Sequence, residues 1–113
     1  MNLEHQIDAG TLKLKVLDKR MDARSASEFK ERVGSLIKAG NRRIALDLSE
    51  VEFIDSSGLG ALVSVLRQLG DQGEIAIGGV RDTVASLFKL TRLDKVFQLY
   101  SDPGKAWSAV SSR

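Results

Sequence analysis

Asp55-Ser56-Ser57-Gly58-Leu59-Gly60 marks the point where one hydrophobic period gives way to another. Upstream, Arg43-Ile44-Ala45-Leu46-Asp47-Leu48 alternates with period two, which sets Ile44, Leu46 and Leu48 on one side, as a half-buried strand requires. That strand is expected to run on through Ser49-Glu50-Val51-Glu52 to Phe53-Ile54. Downstream, Leu59, Leu62, Val63, Leu66 and Leu69 recur at helical spacing, and Gly70 falls where helices often end on a glycine. The six residues are therefore a strand-to-helix junction.

A serine at such a junction can cap the helix with its hydroxyl. The free N–H groups of the first turn and the helix dipole also favour negative charge there, a phosphate included. Gly58 and Gly60 each cost about 1 kcal/mol relative to alanine in a helix, yet they leave the backbone bare enough for another protein to come close. On the residues alone, Ser56 and Ser57 read either as caps or as modifiable hydroxyls.

Composition narrows the classes. With 113 residues, 42% hydrophobic and 28% charged, the chain reads as one ordinary globular domain spanning 1–113. It has no cysteine, which excludes disulfides and thiolate chemistry. No basic region followed by an apolar run opens the chain, and the uncharged stretch from Ser56 to Leu66 is too short to span a bilayer. A cytoplasmic protein without a membrane partner is expected. Seventeen Lys and Arg against fifteen Asp and Glu leave a formal charge of +2. The basic residues Lys13, Lys15, Lys19 and Arg20 are interleaved with Asp18 and Asp22, which suits a solvated surface better than a nucleic-acid stripe.

The remaining elements follow in order. Leu3, His5 and Ile7, then Ala9-Gly10, then Leu12, Leu14 and Val16 read as a hairpin. A helix with Ala26, Phe29, Val33, Leu36 and Ile37 on one face follows, opened by a capping box of Ser25 with Glu28 or by Asp22, and stopped at Gly40-Asn41. Glu74-Ile75-Ala76-Ile77 is a short buried strand. Val84, Leu87, Phe88 and Thr91 give a helical face opened near Asp82, and Val96 to Tyr100 is a last strand. Asp102-Pro103 starts a final helix faced by Ala106, Trp107 and Val110, and Ser111-Ser112-Arg113 is expected to fray. Strand-helix units in series imply parallel neighbours, and the hairpin makes the sheet mixed: an α/β fold with about four helices.

Catalysis finds little support. Ser56 beside Asp55 lacks a base oriented by a third group, and the only histidine, His5, lies in the first strand. The Gly-x-Ser-x-Gly elbow and the Walker loop are both absent, and a lone histidine makes a metal site improbable. No enzyme, cofactor or metal is expected.

Phe53-Ile54-Asp55-Ser56-Ser57-Gly58-Leu59-Gly60-Ala61-Leu62, after a strand and opening a helix, resembles the signature of the STAS-domain family, in particular the bacterial anti-sigma-factor antagonists. The element order of the whole chain is that of STAS domains as well. The resemblance implies a partner switch in which Ser56, the first serine after the aspartate, is phosphorylated, with Ser57 as the alternative. The unphosphorylated protein would bind an anti-sigma factor that is itself a serine kinase of the histidine-kinase-like ATPase type, freeing a sigma factor. A metal-dependent serine phosphatase would reset it. The contact surface implied is Asp55, Ser56, Ser57, Gly58, Leu59, Gly60 and Leu62 with the loop Met21, Asp22, Ala23. Lys19, where the family often has glycine, and Met21, where it has leucine, depart from the pattern. STAS domains also resemble non-switching interaction subunits of transporters and stress-signalling assemblies, which is the alternative reading.

Overall fold

Ala9 and Gly10 both adopt positive φ, 50° and 83°, and this left-handed pair folds β1 (Leu3–Asp8) back antiparallel onto β2 (Thr11–Val16). The computed structural model describes residues 1–111. After β2 the chain forms β3 (Arg20–Met21), α1 (Ala23–Lys38), β4 (Arg43–Asp47), β5 (Phe53–Ile54) and α2 (Ser56–Leu69). Then come β6 (Glu74–Gly78), α3 (Asp82–Leu90), β7 (Gln98–Tyr100) and α4 (Pro103–Ser111), with single 3-10 turns at Gly70–Gln72 and Leu93–Lys95. The main sheet runs β1-β2-β4-β6-β7; β4 lies parallel to β2 and β6, and β7 parallel to β6. The expected mixed sheet with four helices is what forms.

The two faces of the sheet carry side chains of different size. Leu12, Leu14, Ile44, Leu46, Ile75 and Ile77 form one core with Phe29 and Val33 of α1, Leu62 and Val65 of α2, and Val84 and Phe88 of α3. On the other face, Ala45 and Ala76 meet Ala106 and Val110 of α4. Ile44, Ala45 and Leu46 are therefore all buried, and β4 is covered on both sides rather than half-buried as its alternation suggested. The alternation is one of size, large against small. Alanine lets α4 lie close, and Gly78 lets it lie closer: a Cβ there would stand 2.6 Å from the Pro103 Cα and 2.9 Å from the Asp102 carbonyl oxygen.

Other expectations are revised. β4 ends at Asp47, whose Oδ1 accepts from the Ser49 N–H at 2.8 Å, so the chain turns instead of running on to Phe53. Phe53 and Ile54 pair in parallel with Arg20 and Met21, a two-stranded sheet apart from the main one. The capping box of α1 joins Asp22 to Ser25, not Ser25 to Glu28; the Asp22 N–H donates to Ser25 Oγ at 3.0 Å and the Asp22 carboxylate accepts from the Arg24 N–H at 3.1 Å. The last strand is shorter than read, because Phe97 turns inward to pack edge-on against Phe88, centroids 5.8 Å apart. Pro103 does open α4, with Asp102 Oδ1 accepting from the Gly104 N–H at 2.8 Å. Of the tail expected to fray, Ser111 closes α4, and Ser112 and Arg113 lie outside the described residues.

Because backbone and not a flexible side chain faces Gly78, Gly78→Ala is expected to lower the free energy of unfolding by about 1–3 kcal/mol. Urea denaturation measures it, and an unchanged midpoint would contradict the close approach of α4.

Candidate functional site

The junction is built from its cap outward. Asp55 has extended backbone (φ −103°, ψ −174°) and accepts from the Gly58 N–H at 3.0 Å through Oδ1, while its carbonyl accepts from the Leu59 N–H at 3.0 Å. The cap of α2 is thus the aspartate, which corrects the reading of either serine as the cap. Ser56 and Ser57 occupy the first two helical positions, and neither hydroxyl bonds to another described residue. Ser56 is exposed and Ser57 half-buried.

A second constraint comes from α1. The Asp55 N–H donates to the Met21 carbonyl at 3.1 Å, tying the start of α2 to the strand that leads into α1. Gly58 lies against the same carbonyl. A Cβ there would stand 2.6 Å from Met21 O and 2.6 Å from Ile54 Cγ1. Its bare backbone serves packing inside the fold, not a visitor from outside. Gly60 is the opposite case, exposed with nothing within 4 Å of its would-be Cβ.

The residues expected to form a contact surface are thereby sorted. Ser56, Gly60 and Ala23 are exposed, and Asp22, Asp55 and Ser57 are half-buried. Met21 and Leu62 are fully buried, Leu59 is 7% exposed and Gly58 is buried. In the free chain these four hold the loop from beneath and do not face solvent. Two exposed residues of the adjoining strand pair, Arg20 and Phe53, lie outside that expected set. Phe53 is 39% exposed, and the Arg20 guanidinium lies 4.4 Å from its ring centroid. The run Val51-Glu52-Phe53-Ile54 offers one apolar residue too many for a single buried face, a signal that one of them points out.

Elsewhere, His5 is exposed on edge strand β1, and no group of three or more His, Cys, Asp or Glu side chains gathers among the described residues. No described helix is long and apolar enough to cross a membrane. A groove of about 770 Å³ on the α4 side of the sheet is lined by residues including Lys13, Lys15, Asp47 and Trp107, none of them from the junction.

Comparison with known proteins gives a consistent result. The family model described as the STAS domain matches residues 3–106. A Thermotoga neapolitana protein that carries the provisional name of anti-sigma factor antagonist is 30% identical over 98 residues, covering 85% of this chain and 87% of its own. The anti-sigma-B factor antagonist of Staphylococcus aureus is 34% identical over 74 residues, 65% of this chain and 68% of its own. The crystal structure of an anti-sigma factor antagonist from Mycobacterium paratuberculosis superposes with a TM-score of 0.88 at 26% identity, over 96% of this chain and 92% of that one.

The cap assignment separates neighbouring residues in a thermal or urea melt. Asp55→Ala is expected to cost about 0.5–2 kcal/mol, whereas Ser56→Ala stays within about 0.5 kcal/mol. Gly58→Ala costs about 1–3 kcal/mol through the Met21 carbonyl, and Gly60→Ala stabilises by up to about 1 kcal/mol. Equal effects at the two glycines would refute this division of roles.

Proposed function

The chain belongs to the STAS-domain family, and on that premise we propose that it is an anti-sigma-factor antagonist working by partner switching, with Ser56 as the phosphorylated residue. The observation that carries the reading is the Ser56 hydroxyl: exposed, unbonded, and on the first turn of a helix already capped by Asp55. A charge can be added there without dismantling the fold.

The physics of such a switch is asymmetric. Within the protein, a phosphate at the first helical position meets the positive end of the dipole, a contribution of about 0.3–1 kcal/mol that offsets its repulsion from Asp55. At a docked surface the same group brings about −1.5 to −2 charges into a contact that excludes water. Like-charge juxtaposition there costs several kcal/mol, enough to convert a bound partner into a free one. The unphosphorylated protein would hold an anti-sigma factor and free a sigma factor; the phosphorylated protein would let go.

Three surface residues near the hydroxyl, Asp22, Ala23 and Gly60, would serve the docked state. Asp22 and Ala23 open α1 beside the junction, and the Met21 carbonyl joins the two helix starts. Gly60, one turn after Ser56, leaves α2 low enough for a backbone to approach. The anti-sigma factor would be the serine kinase, of the histidine-kinase-like ATPase type, and a metal-dependent serine phosphatase would restore the hydroxyl. The exchange would take place in the cytoplasm, and the chain itself would be a kinase substrate and binding partner rather than a catalyst.

Incubation with the cognate anti-sigma factor and ATP is expected to add one phosphate, read by intact mass and lost in Ser56→Ala. Phosphate persisting on that variant would move the acceptor to Ser57. In calorimetric titration Ser56→Asp should bind the anti-sigma factor at least about tenfold more weakly while melting at the wild-type temperature. Equal affinity would sink the switch, and recovery of a transporter subunit in its place would favour the non-switching reading.

A further inference from the structure

The strand pair under the junction has an outer side. In the parallel register Met21 faces Ile54 and Arg20 faces Phe53. Met21 and Ile54 are buried at 0% and 1%, so alternation turns Arg20 and Phe53 outward. The Arg20 guanidinium lies 4.4 Å from the Phe53 centroid, within the range of a cation–π contact. The nearest carboxylate oxygen, on Asp22, is 4.0 Å from Arg20 Nε, and the Arg20 side chain makes no hydrogen bond to any described residue.

This is an unusual way to leave an arginine. Its planar face is held against a ring, which restricts the side chain, while the N–H fork that pairs with carboxylates stays unused. A guanidinium ordered in advance loses less entropy when an anion arrives. The carboxylate of Glu52, next to Phe53 in the chain, stands 4.0 Å from Arg81, and Lys19 and Arg24 are exposed cations close to Arg20 in the chain.

Resting on the reading that a protein docks at Ser56, we propose that the Arg20–Phe53 stack is an anchor of that docking surface, engaging a carboxylate of the anti-sigma factor flanked by an apolar side chain. Continuity selects this occupant. The strand pair carrying the stack is joined to the cap of α2 through the bond from the Asp55 N–H to the Met21 carbonyl, so the stack and Ser56 sit on one rigid element. Charge selects the chemistry, since a guanidinium whose one ion pair, to Asp22, is 4.0 Å long and whose N–H groups make no hydrogen bond to a described residue has donors left for an anion. Arginine and aromatic residues are also the types that dominate binding energy at protein interfaces.

The test uses the full chain and one purified anti-sigma factor that binds the unmodified wild type, titrated at several salt concentrations. Arg20→Glu is expected to weaken binding at least about tenfold, and Arg20→Lys and Phe53→Leu several-fold, because lysine keeps the charge without the planar fork and leucine keeps apolar bulk without the ring. Lys19→Glu should stay within about threefold, and the salt dependence should be shallower for Arg20→Ala than for wild type. Unchanged melting temperatures separate these losses from unfolding. Wild-type affinity for Arg20→Lys and Phe53→Leu, with Arg20→Glu no weaker than Lys19→Glu, would overturn the anchor. If Ser56→Asp abolishes binding while the stack variants bind normally, only this inference falls. If Ser56→Asp binds like wild type, docking at Ser56 falls and takes the anchor with it.

Discussion

The hydrogen bond from the Gly58 N–H to the Asp55 carboxylate, 3.0 Å long, is the constraint on which the rest of the site depends. It satisfies a helix N–H that would otherwise lack a partner, and it does so with a residue one position ahead of the serines. Had Ser56 been the cap, its hydroxyl would be committed to the backbone, and a modification would compete with the helix that displays it. Capping by aspartate releases the serine.

Around that bond the fold is organised by close approach. Gly58 allows the Met21 carbonyl to lie against α2, and Gly78 allows Pro103 and Asp102 to lie against β6. Ala45 and Ala76 do the same for α4 across the middle of the sheet. Small residues thus set the distances between layers, while Leu12, Leu14, Ile44, Leu46, Ile75 and Ile77 supply the apolar area beneath α1, α2 and α3. The junction inherits its shape from this arrangement: two helix starts and a short strand pair are joined through the hydrogen bond from the Asp55 N–H to the Met21 carbonyl and packed on one core.

The sequence and the structure part company where neighbours in space are far apart in the chain. β3 is two residues long and carries no period of its own, so nothing local distinguishes Arg20-Met21 from loop. It becomes a strand because Phe53 and Ile54, more than thirty residues later, align with it. For the same reason the strand expected to pass unbroken from β4 to Phe53 is two pieces, and the outward turn of Phe53 was hidden inside an apolar run. Burial of Met21, Leu59 and Leu62 was also beyond a reading by motif, because a conserved-looking string does not say which of its residues face solvent.

What the amino-acid order determined by itself was periodic or stereochemical: the period-two runs of β2 and β4, the helical face of α2, the turn at Ala9-Gly10, the proline start of α4, and the junction at Asp55 to Gly60 with the family it resembles. These rest on the geometry of a few adjacent residues, which a sequence contains completely. Tertiary structure alone decided which residue caps α2, which glycine faces inward and which outward, and that Arg20 lies over Phe53. Each of those depends on which of several chemically adequate groups is brought within about 3–6 Å by the packing of distant segments, and that distance is a property of the whole fold.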